Sequence, residues 1–499
     1  MTEITKSVID RYMEVPMKAN DRFNPGLCEL WEMSKEYSVP NNSGLPLFYP
    51  KVKSRSAKFT KNYEIDDPEA QKYLKDVQNF IMNNDMIKVD TRIGEGSELT
   101  FRSRLFVSAK YPQLAYMFKK NLFEVNGEEI EQVDVITIPE YPERKILVFP
   151  KEGLELILGS DYYGETKMAA LRLAMYVARE KHGTLGLHAG SKAYNLKIDS
   201  QMKHIGVLIF GLSGTGKTTL VCATHDLKAP ESIEIIQDDI NFIDQNLFAW
   251  GSEKNFYVKT EGITSQPLLL NAAKNVGSIL ENVYVNERGE IDFDNSSIST
   301  NGRAIVERDK IPFNSKSYRM GKVDVLFFNT RRDDLPPILK IDSVEKAAAI
   351  FALGESTITS ADDPQRAGQP VRTVGLNPFI INDPAKEVNT FKRALQGKTF
   401  KAFIVNTGYI GGWNGLKIKP QDTFMFVEKA LRDEIKFEYD PDVGFEVPKE
   451  IKGEDIKRFD IQNFYSRDEY KEKMKNLRLE RIGFLKTLKG LDKDILEAI

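Results

Sequence analysis

Hydrophobic and polar positions follow two rhythms along this chain, and each rhythm predicts a different element. Short, nearly continuous apolar runs predict buried strands at 146–149, 154–158, 205–210, 233–236, 323–328 and 402–405. Apolar residues at helical spacing predict helices at 168–180 and 343–353. Because strands and helices alternate, we expect an α/β fold.

The two ends of the chain are less regular. Turn-forming residues at 24–26 and 40–44 predict an irregular arrangement for the first 50 residues. Residues 468–499 carry apolar positions near helical spacing among many charges, which predicts a pair of surface helices. The mostly polar stretch 197–203 lies close to the boundary that we predict between an N-terminal domain, residues 1–195, and a C-terminal domain, residues 196–499.

Composition narrows the class of protein. Lys and Arg number 70 and Asp and Glu number 73, so the net charge of −3 gives no bulk positive field to hold nucleic acid. No apolar stretch approaches the ~18 residues that span a membrane. The two cysteines suit a reducing compartment, and the four histidines do not favour a multi-histidine metal centre. We expect a cytoplasmic protein that acts on a small molecule, with no nucleic-acid or membrane partner, as a monomer or small homo-oligomer.

A glycine-rich turn follows the predicted strand 205–210 and matches the phosphate-binding pattern G-x-x-x-x-G-K-[ST]. Its glycines let backbone N–H groups curl around a polyphosphate at the start of a helix. Lys217 would reach the β- and γ-phosphates, and the Thr218 hydroxyl would bind Mg²⁺. The predicted nucleotide-binding residues are Gly211, Leu212, Ser213, Gly214, Thr215, Gly216, Lys217, Thr218 and Thr219.

Two carboxylates follow the next predicted strand, at Asp238 and Asp239. Mg²⁺ and Mn²⁺ prefer such oxygen ligands, and a buried strand after a phosphate-binding loop commonly delivers them. The residues alone therefore predict nucleotide-dependent phosphoryl transfer.

Several segments together resemble the ATP-dependent phosphoenolpyruvate carboxykinases. The likeness covers about residues 100 to 430 and rests on the phosphate-binding turn and on segments 156–165, 185–189, 238–239, 258–260, 281–285, 290–294, 301–303, 335–337 and 406–408. The resemblance implies a two-domain fold with a P-loop and an active site in the cleft between the domains. It also implies that ATP phosphorylates the enolate that oxaloacetate leaves when it loses CO₂.

The resemblance assigns roles to individual residues. Lys217, Arg303 and Lys259 would face the phosphates, and Thr218 would hold Mg²⁺. His188 and Asp239, with Asp238 nearby, would ligate Mn²⁺. The family's metal-binding lysine aligns best with Met168, although a shift of one residue would restore Lys167 as the ligand.

The acceptor side departs from the family pattern. The family motif glycine-arginine-serine-proline-lysine-aspartate, whose arginine holds the substrate carboxylate, corresponds best to residues 90–98, where Arg92, or else Arg102 or Arg104, would replace it. Gln266 stands where the family usually has an acidic residue. Residues 356–372 lie where the family has its mobile lid, and an inert loop is an equal alternative.

Three hypotheses follow from these features. The first is the carboxykinase reaction, with ATP, Mg²⁺ and Mn²⁺ as cofactors. The second is a repurposed kinase of the same fold that phosphorylates a different small molecule or a protein. The third, a nucleotide-binding protein without turnover, is disfavoured because such a protein has little use for Arg303.

Overall fold

The protein is described here by a computed structural model, which covers residue 18 and residues 20–55, 57–96, 98–212, 214–358, 369–412 and 414–499. Contacts divide the chain into two compact units. The first unit contains the described residues of Met1–His182 and Ser252–Pro312, and the second contains those of Gly183–Gly251 and Phe313–Ile499.

This division differs from a single boundary near residue 195. Residues 252–312 return to the first unit, and the polar stretch 197–203 forms the turn of a hairpin inside the second unit. The division into an N-terminal domain, 1–195, and a C-terminal domain, 196–499, stays a prediction.

The helices of the described residues are named in chain order. They are α1 Leu27–Ser34, α2 Pro68–Asn83, α3 Pro112–Asn121, α4 Tyr163–His182, α5 Lys217–Cys222, α6 Pro267–Ala273, α7 Val344–Leu353, α8 Pro384–Leu395, α9 Pro420–Leu431, α10 Arg467–Thr487 and α11 Lys493–Glu497. Both long predicted helices are present as α4 and α7. Among the described residues, none of these helices is long and apolar enough to cross a bilayer.

The strands are named in the same way. They are β1 Arg22–Phe23, β2 Leu47–Phe48, β3 Thr60–Asn62, β4 Met86–Ile93, β5 Phe101–Ser108, β6 Glu131–Ile138, β7 Lys145–Phe149, β8 Leu154–Leu158, β9 Leu185–Ile198, β10 Gln201–Phe210, β11 Ser232–Gln237, β12 Ile240–Ile243, β13 Phe248–Gly251, β14 Phe256–Lys259, β15 Ile279–Glu281, β16 Tyr284–Val285, β17 Ile291–Asp292, β18 Arg303–Val306, β19 Arg319–Lys322, β20 Val325–Thr330, β21 Ile338–Ile341, β22 Glu355–Thr357, β23 Pro370–Arg372, β24 Lys401–Asn406, β25 Tyr409–Ile410, β26 Leu416–Lys417, β27 Ile435–Asp440 and β28 Phe445–Ile451. Each of the six predicted strands has its counterpart here.

The first unit contains a seven-stranded sheet in the order β1-β4-β5-β6-β8-β7-β3 and a four-stranded sheet in the order β14-β18-β15-β2. The amphipathic helix α2 buries Tyr73, Leu74, Val77 and Ile81, which join apolar residues of β6, β7 and β8 in one core cluster. Asp67 caps α2 by accepting hydrogen bonds from the backbone N–H groups of Glu69 and Ala70.

The second unit is built on an eleven-stranded sheet in the order β19-β13-β12-β9-β10-β20-β24-β21-β28-β27, with β11 also paired to β9. Strands β10, β20 and β24 run parallel, and β9 runs antiparallel to β10. The carboxyl end of β10 therefore opens into the glycine-rich turn, as the α/β pattern requires.

At the two ends of the chain, one prediction from the sequence is confirmed and the other is only partly right. The first 50 residues were expected to be irregular, but α1 forms there, because Gly26 takes an extended conformation at the N-cap and the turn formers precede a helix. The predicted C-terminal helix pair is confirmed as α10 and α11. A capping box between Ser466 and Glu469 begins α10, and its buried face includes Tyr470, Met474, Leu477 and Leu485.

Candidate functional site

The glycine-rich turn connects β10 to α5 within the second unit. Gly214 and Gly216 have φ values of +75° and +82°, a region that glycine enters without strain. Helix α5 begins at Lys217, so Thr218 and Thr219 lie in its first turn, where backbone N–H groups have no partner within the helix. Ser213 lies outside the described residues. A strand, a glycine-rich turn and a helix follow one another here, as in known polyphosphate-binding loops. Polyphosphate binding by this turn stays a prediction.

Two neighbouring segments support this turn. Thr407 donates a hydrogen bond of 2.9 Å from its hydroxyl to the carbonyl oxygen of Thr215, and the side-chain amide of Asn329 lies 3.4 Å from the same oxygen. Asn406 joins the segment of Thr407 to Leu335 through a 2.8 Å hydrogen bond. Sequence analysis matched segments 335–337 and 406–408 to a family without assigning them a role. In the structure, segment 406–408 contacts the turn through Thr407, and segment 335–337 holds that segment through Leu335.

Three charged or ionisable side chains converge beside the start of α5. Asp239 lies in the short bend between β11 and β12, and its Oδ1 is 2.9 Å from Lys217 Nζ. The same oxygen is 3.1 Å from His188 Nε2. Strand pairing explains the approach, because His188 on β9 pairs with Ile240, the residue after Asp239. Asp238 is buried in the same bend.

The hydrogen bonds of His188 create a conflict that a cation would resolve. Nδ1 lies 2.7 Å from the carbonyl oxygen of Leu376, so Nδ1 carries the proton and donates. Burial and the nearby Lys217 lower the pKa of His188, which favours the neutral ring. In that form the Nε2 lone pair faces the Asp239 carboxylate, and two acceptors face each other.

A divalent metal ion fits between these two acceptors, since imidazole nitrogen and carboxylate oxygen are both ligands that Mn²⁺ accepts. Within the residues that the structure describes, no group of three or more His, Cys, Asp or Glu side chains is arranged to hold a metal. If His188 and Asp239 bind a metal, further ligands must therefore come from other kinds of group.

Two further predicted cations face each other across a strand pair of the first unit. Lys259 ends β14 and Arg303 begins β18, and the two residues are direct partners in the antiparallel ladder. Like charges in such a position repel each other, so this pair suits a site that receives an anion. In the present structure Lys259 Nζ lies 2.5 Å from a carboxylate oxygen of Glu261.

Arg303 contacts Asn301 and the ring of the buried Tyr257. Its Nε donates to Asn301 at 3.0 Å, and its guanidinium carbon lies 5.6 Å from the centre of the Tyr257 ring. The Tyr257 hydroxyl donates to Glu281 at 2.5 Å, and burial raises the pKa of Glu281 to about 7. These contacts hold the Arg303 guanidinium over one ring face.

Lys167, one of the two possible metal-binding positions, lies on α4 and is almost completely buried. Its Nζ is 3.0 Å from Glu253 and 5.3 Å from the centre of the Tyr257 ring. The neighbouring Met168 is also buried. A role for Lys167 as a metal ligand stays a prediction.

The three arginines considered for the acceptor side all lie in ion pairs. Arg92 pairs with Glu95, and Arg102 pairs with Asp90. Arg104 forms two hydrogen bonds of 2.5 and 2.9 Å with the buried Asp134. Such pairing reduces the positive charge that each of them can offer to a substrate carboxylate.

Arg55 is a further candidate arginine that sequence analysis did not consider. It lies in the first unit, where burial and the neighbouring Arg172 lower the pKa of its guanidinium. Glu165 and Glu155 are its nearby carboxylates. The missed signal was the run 55–58, which keeps the arginine, serine and lysine of the family motif at the motif's spacing.

The predicted lid is described only at its ends, because residues 359–368 lie outside the described residues. The two ends pair as β22 and β23, with Glu355 opposite Arg372. Gln266 forms the N-cap of α6.

Comparisons with known proteins give one consistent result. A sequence model of the family described as phosphoenolpyruvate carboxykinase matches residues 52–457, a longer range than the 100–430 expected from motifs. A protein of Aeropyrum pernix named phosphoenolpyruvate carboxykinase (ATP) is 32% identical over 478 residues, which cover 95% of this chain and 96% of that protein. Proteins of the same name from Oceanobacillus iheyensis and Rhizobium leguminosarum are 26% and 28% identical, covering 80% and 63% of this chain and 80% and 58% of their own lengths.

Proposed function

We propose, from the premise that this chain belongs to the phosphoenolpyruvate carboxykinase family, that it converts oxaloacetate and ATP into phosphoenolpyruvate, CO₂ and ADP. The observation that carries the proposal is the family match over residues 52–457, which includes every predicted site residue. A cytoplasmic location, a two-domain P-loop fold with the active site in the interdomain cleft, and a monomer or small homo-oligomer without nucleic-acid partners belong to the same proposal.

The phosphate side is assigned to a loop and two strand ends. Backbone N–H groups of residues 211–219 bind the triphosphate, with Lys217 as a point charge on its terminal phosphates. Arg303 and Lys259 neutralise charge on the phosphoryl group during transfer. Such a transfer needs positioning and positive charge more than covalent help from the protein.

The metal sites are assigned to oxygen and nitrogen donors. Thr218 holds Mg²⁺ with the nucleotide, and His188 and Asp239 hold Mn²⁺, with Asp238 close by and Lys167 as a further ligand. When bound, the divalent ion supplies positive charge that stabilises the enolate oxygen. Neutral His188 offers its Nε2 lone pair because Leu376 accepts the proton of Nδ1.

Arg55 is assigned to the carboxylate of oxaloacetate. A guanidinium forms paired hydrogen bonds with a carboxylate, and a buried position strengthens them. Arg92, Arg102 and Arg104 lie in ion pairs. The arginine, serine and lysine spacing of the family motif, which residues 55–58 keep, favours Arg55 over them.

The direct test is product formation. Purified protein is incubated with ATP, Mg²⁺, Mn²⁺ and oxaloacetate, and phosphoenolpyruvate and ADP are quantified over time. We expect both products in equal amounts and their loss in Lys217→Ala, whereas Lys203→Ala, which changes an exposed lysine on β10, retains activity. ATP binding without phosphoenolpyruvate formation would contradict the proposal and leave two alternatives, a kinase with a different acceptor or a nucleotide-binding protein without turnover.

A further inference from the structure

Lys192 is a fully buried lysine in the middle of β9 and has no part in the reaction described above. Its relative exposure is 0%. It pairs in the sheet with Val207 of β10 and Ile235 of β11, so it lies between two neighbouring strands. Among the described residues, no carboxylate forms an ion pair with it. Burying an ammonium group in this way is costly unless something else satisfies it.

The ammonium group is satisfied by the far end of the phosphate-binding helix. Lys192 Nζ donates to the carbonyl oxygen of Leu220 at 3.1 Å and also to that of Ala223. It lies 4.6 Å from the centre of the Tyr194 ring, and the Tyr194 hydroxyl is 2.8 Å from His225 Nε2. Burial lowers the pKa of Lys192 to about 7, because desolvation disfavours the charged form.

Helix α5 needs this partner because it is short and has an open C-terminus. It has 6 residues, so most of its carbonyl oxygens lie in the last turn, where no backbone N–H group of the helix donates to them. Ala223 follows it with φ −65° and ψ 133°, so the helix lacks the left-handed residue that closes many helices. A cation at the carbonyl end also interacts favourably with the helix dipole.

We propose that Lys192 is a positioning residue of the phosphate-binding loop. By holding the carbonyl end of α5 against β9, it orients the opposite end, where Lys217 and Thr218 receive the nucleotide. The same strand carries His188, so Lys192 also connects the phosphate-binding helix to the strand of a proposed metal ligand. The inference rests on the proposed function only in one respect, namely that the loop binds a nucleoside triphosphate.

The test separates positioning from stability. The dissociation constant of MgATP is measured by calorimetry for the wild type, Lys192→Met and Lys192→Arg, with Lys197→Met, an exposed lysine on the same strand, as the matched control. Thermal midpoints are recorded for all four. For Lys192→Met the removal of a buried charge offsets the loss of two donated hydrogen bonds, so we expect a thermal midpoint close to that of the wild type but a MgATP affinity weakened about tenfold. Lys192→Arg, which keeps the charge, should recover most of the affinity.

Kinetics add a readout that a merely structural role would not move. The KM for ATP should rise in Lys192→Met while the KM for oxaloacetate stays constant. A folded Lys192→Met protein with wild-type MgATP affinity would overturn the inference; if that variant does not fold, wild-type affinity in Lys192→Gln would do the same. Wild-type protein that binds MgATP without forming phosphoenolpyruvate would contradict the proposed reaction, and the affinity comparison would still decide the role of Lys192.

Discussion

The functional charges of the two compact units are organised differently. In the second unit, the residues that we propose to bind phosphate are contiguous from Gly211 to Thr219, and Lys217 shares the Asp239 carboxylate with His188. In the first unit, cations from separate elements have carboxylate partners of their own, as in Lys259 with Glu261 and Lys167 with Glu253. A site for phosphate can thus be encoded by one loop, whereas the cations of the first unit depend on distant segments.

The largest effect is expected from removing the Arg303 guanidinium, which tests whether the first unit contributes to phosphoryl transfer. Arg303→Ala should lower kcat about 10³-fold, because the transferring phosphoryl group loses its fork of hydrogen-bond donors. Steady-state phosphoenolpyruvate formation measures the effect, with Arg288→Ala, an exposed arginine of the same unit, as control. A loss below about tenfold would mean that the first unit contributes little to phosphoryl transfer.

A second change addresses the shared carboxylate of the second unit. Asp239→Asn keeps the shape but removes the charge that faces His188 and Lys217, so Mn²⁺ affinity should fall about 10²-fold. Electron paramagnetic resonance of free Mn²⁺ during titration gives the affinity directly. Asp226→Asn, at an exposed position, should leave it unchanged. Equal Mn²⁺ affinity in both variants would remove Asp239 from the metal site.

A third change tests an ion pair that we interpret as structural. Burial alone would raise the pKa of Glu355, but Arg481 and the other nearby arginines hold it at about 2. Since the pKa in the folded protein is below that of the unfolded chain, the stabilisation is present above about pH 4.5 and is lost as the pH falls towards 2. Urea unfolding of the wild type should therefore lose roughly 2 kcal/mol over this range, and Glu355→Gln, less stable at neutral pH, should lose less. If the free energy of unfolding changed equally with pH in both proteins, the interpretation of this ion pair as stabilising would be contradicted.

The smallest expected effect concerns the arginine that binds the carboxylate of oxaloacetate. Arg55→Lys should raise the KM for oxaloacetate about tenfold and leave the KM for ATP unchanged, because a lysine cannot form the paired hydrogen bonds of a guanidinium. Arg102→Lys, which changes an arginine already paired with Asp90, should alter neither constant. If Arg102→Lys raised the KM for oxaloacetate and Arg55→Lys did not, the carboxylate would instead bind among the arginines in and after residues 90–98 that sequence analysis favoured.

Local patterns carried most of the correct predictions. The six strands, the helices α4 and α7 and the helix pair at the C-terminus all follow from periodicity within a few residues, which the chain encodes locally. Helix α1 was missed because its preceding Asn24-Pro25-Gly26 segment is equally typical of a turn and of a helix start. Arg55 was not among the predicted residues because the segment 90–98 contains glycines, as the family motif does, whereas the run around Arg55 contains none.

The sequence by itself determined the family and predicted a phosphate-binding loop, since both depend on residues that stand next to each other or at fixed spacings. Only the tertiary structure decided which charges meet. Pairing of β9 with β12 brings His188 to Asp239, pairing of β14 with β18 sets Lys259 opposite Arg303, and the packing of α5 on β9 buries Lys192. The physical reason is that strand register and burial are fixed by contacts between distant segments, and no local pattern of residues specifies them.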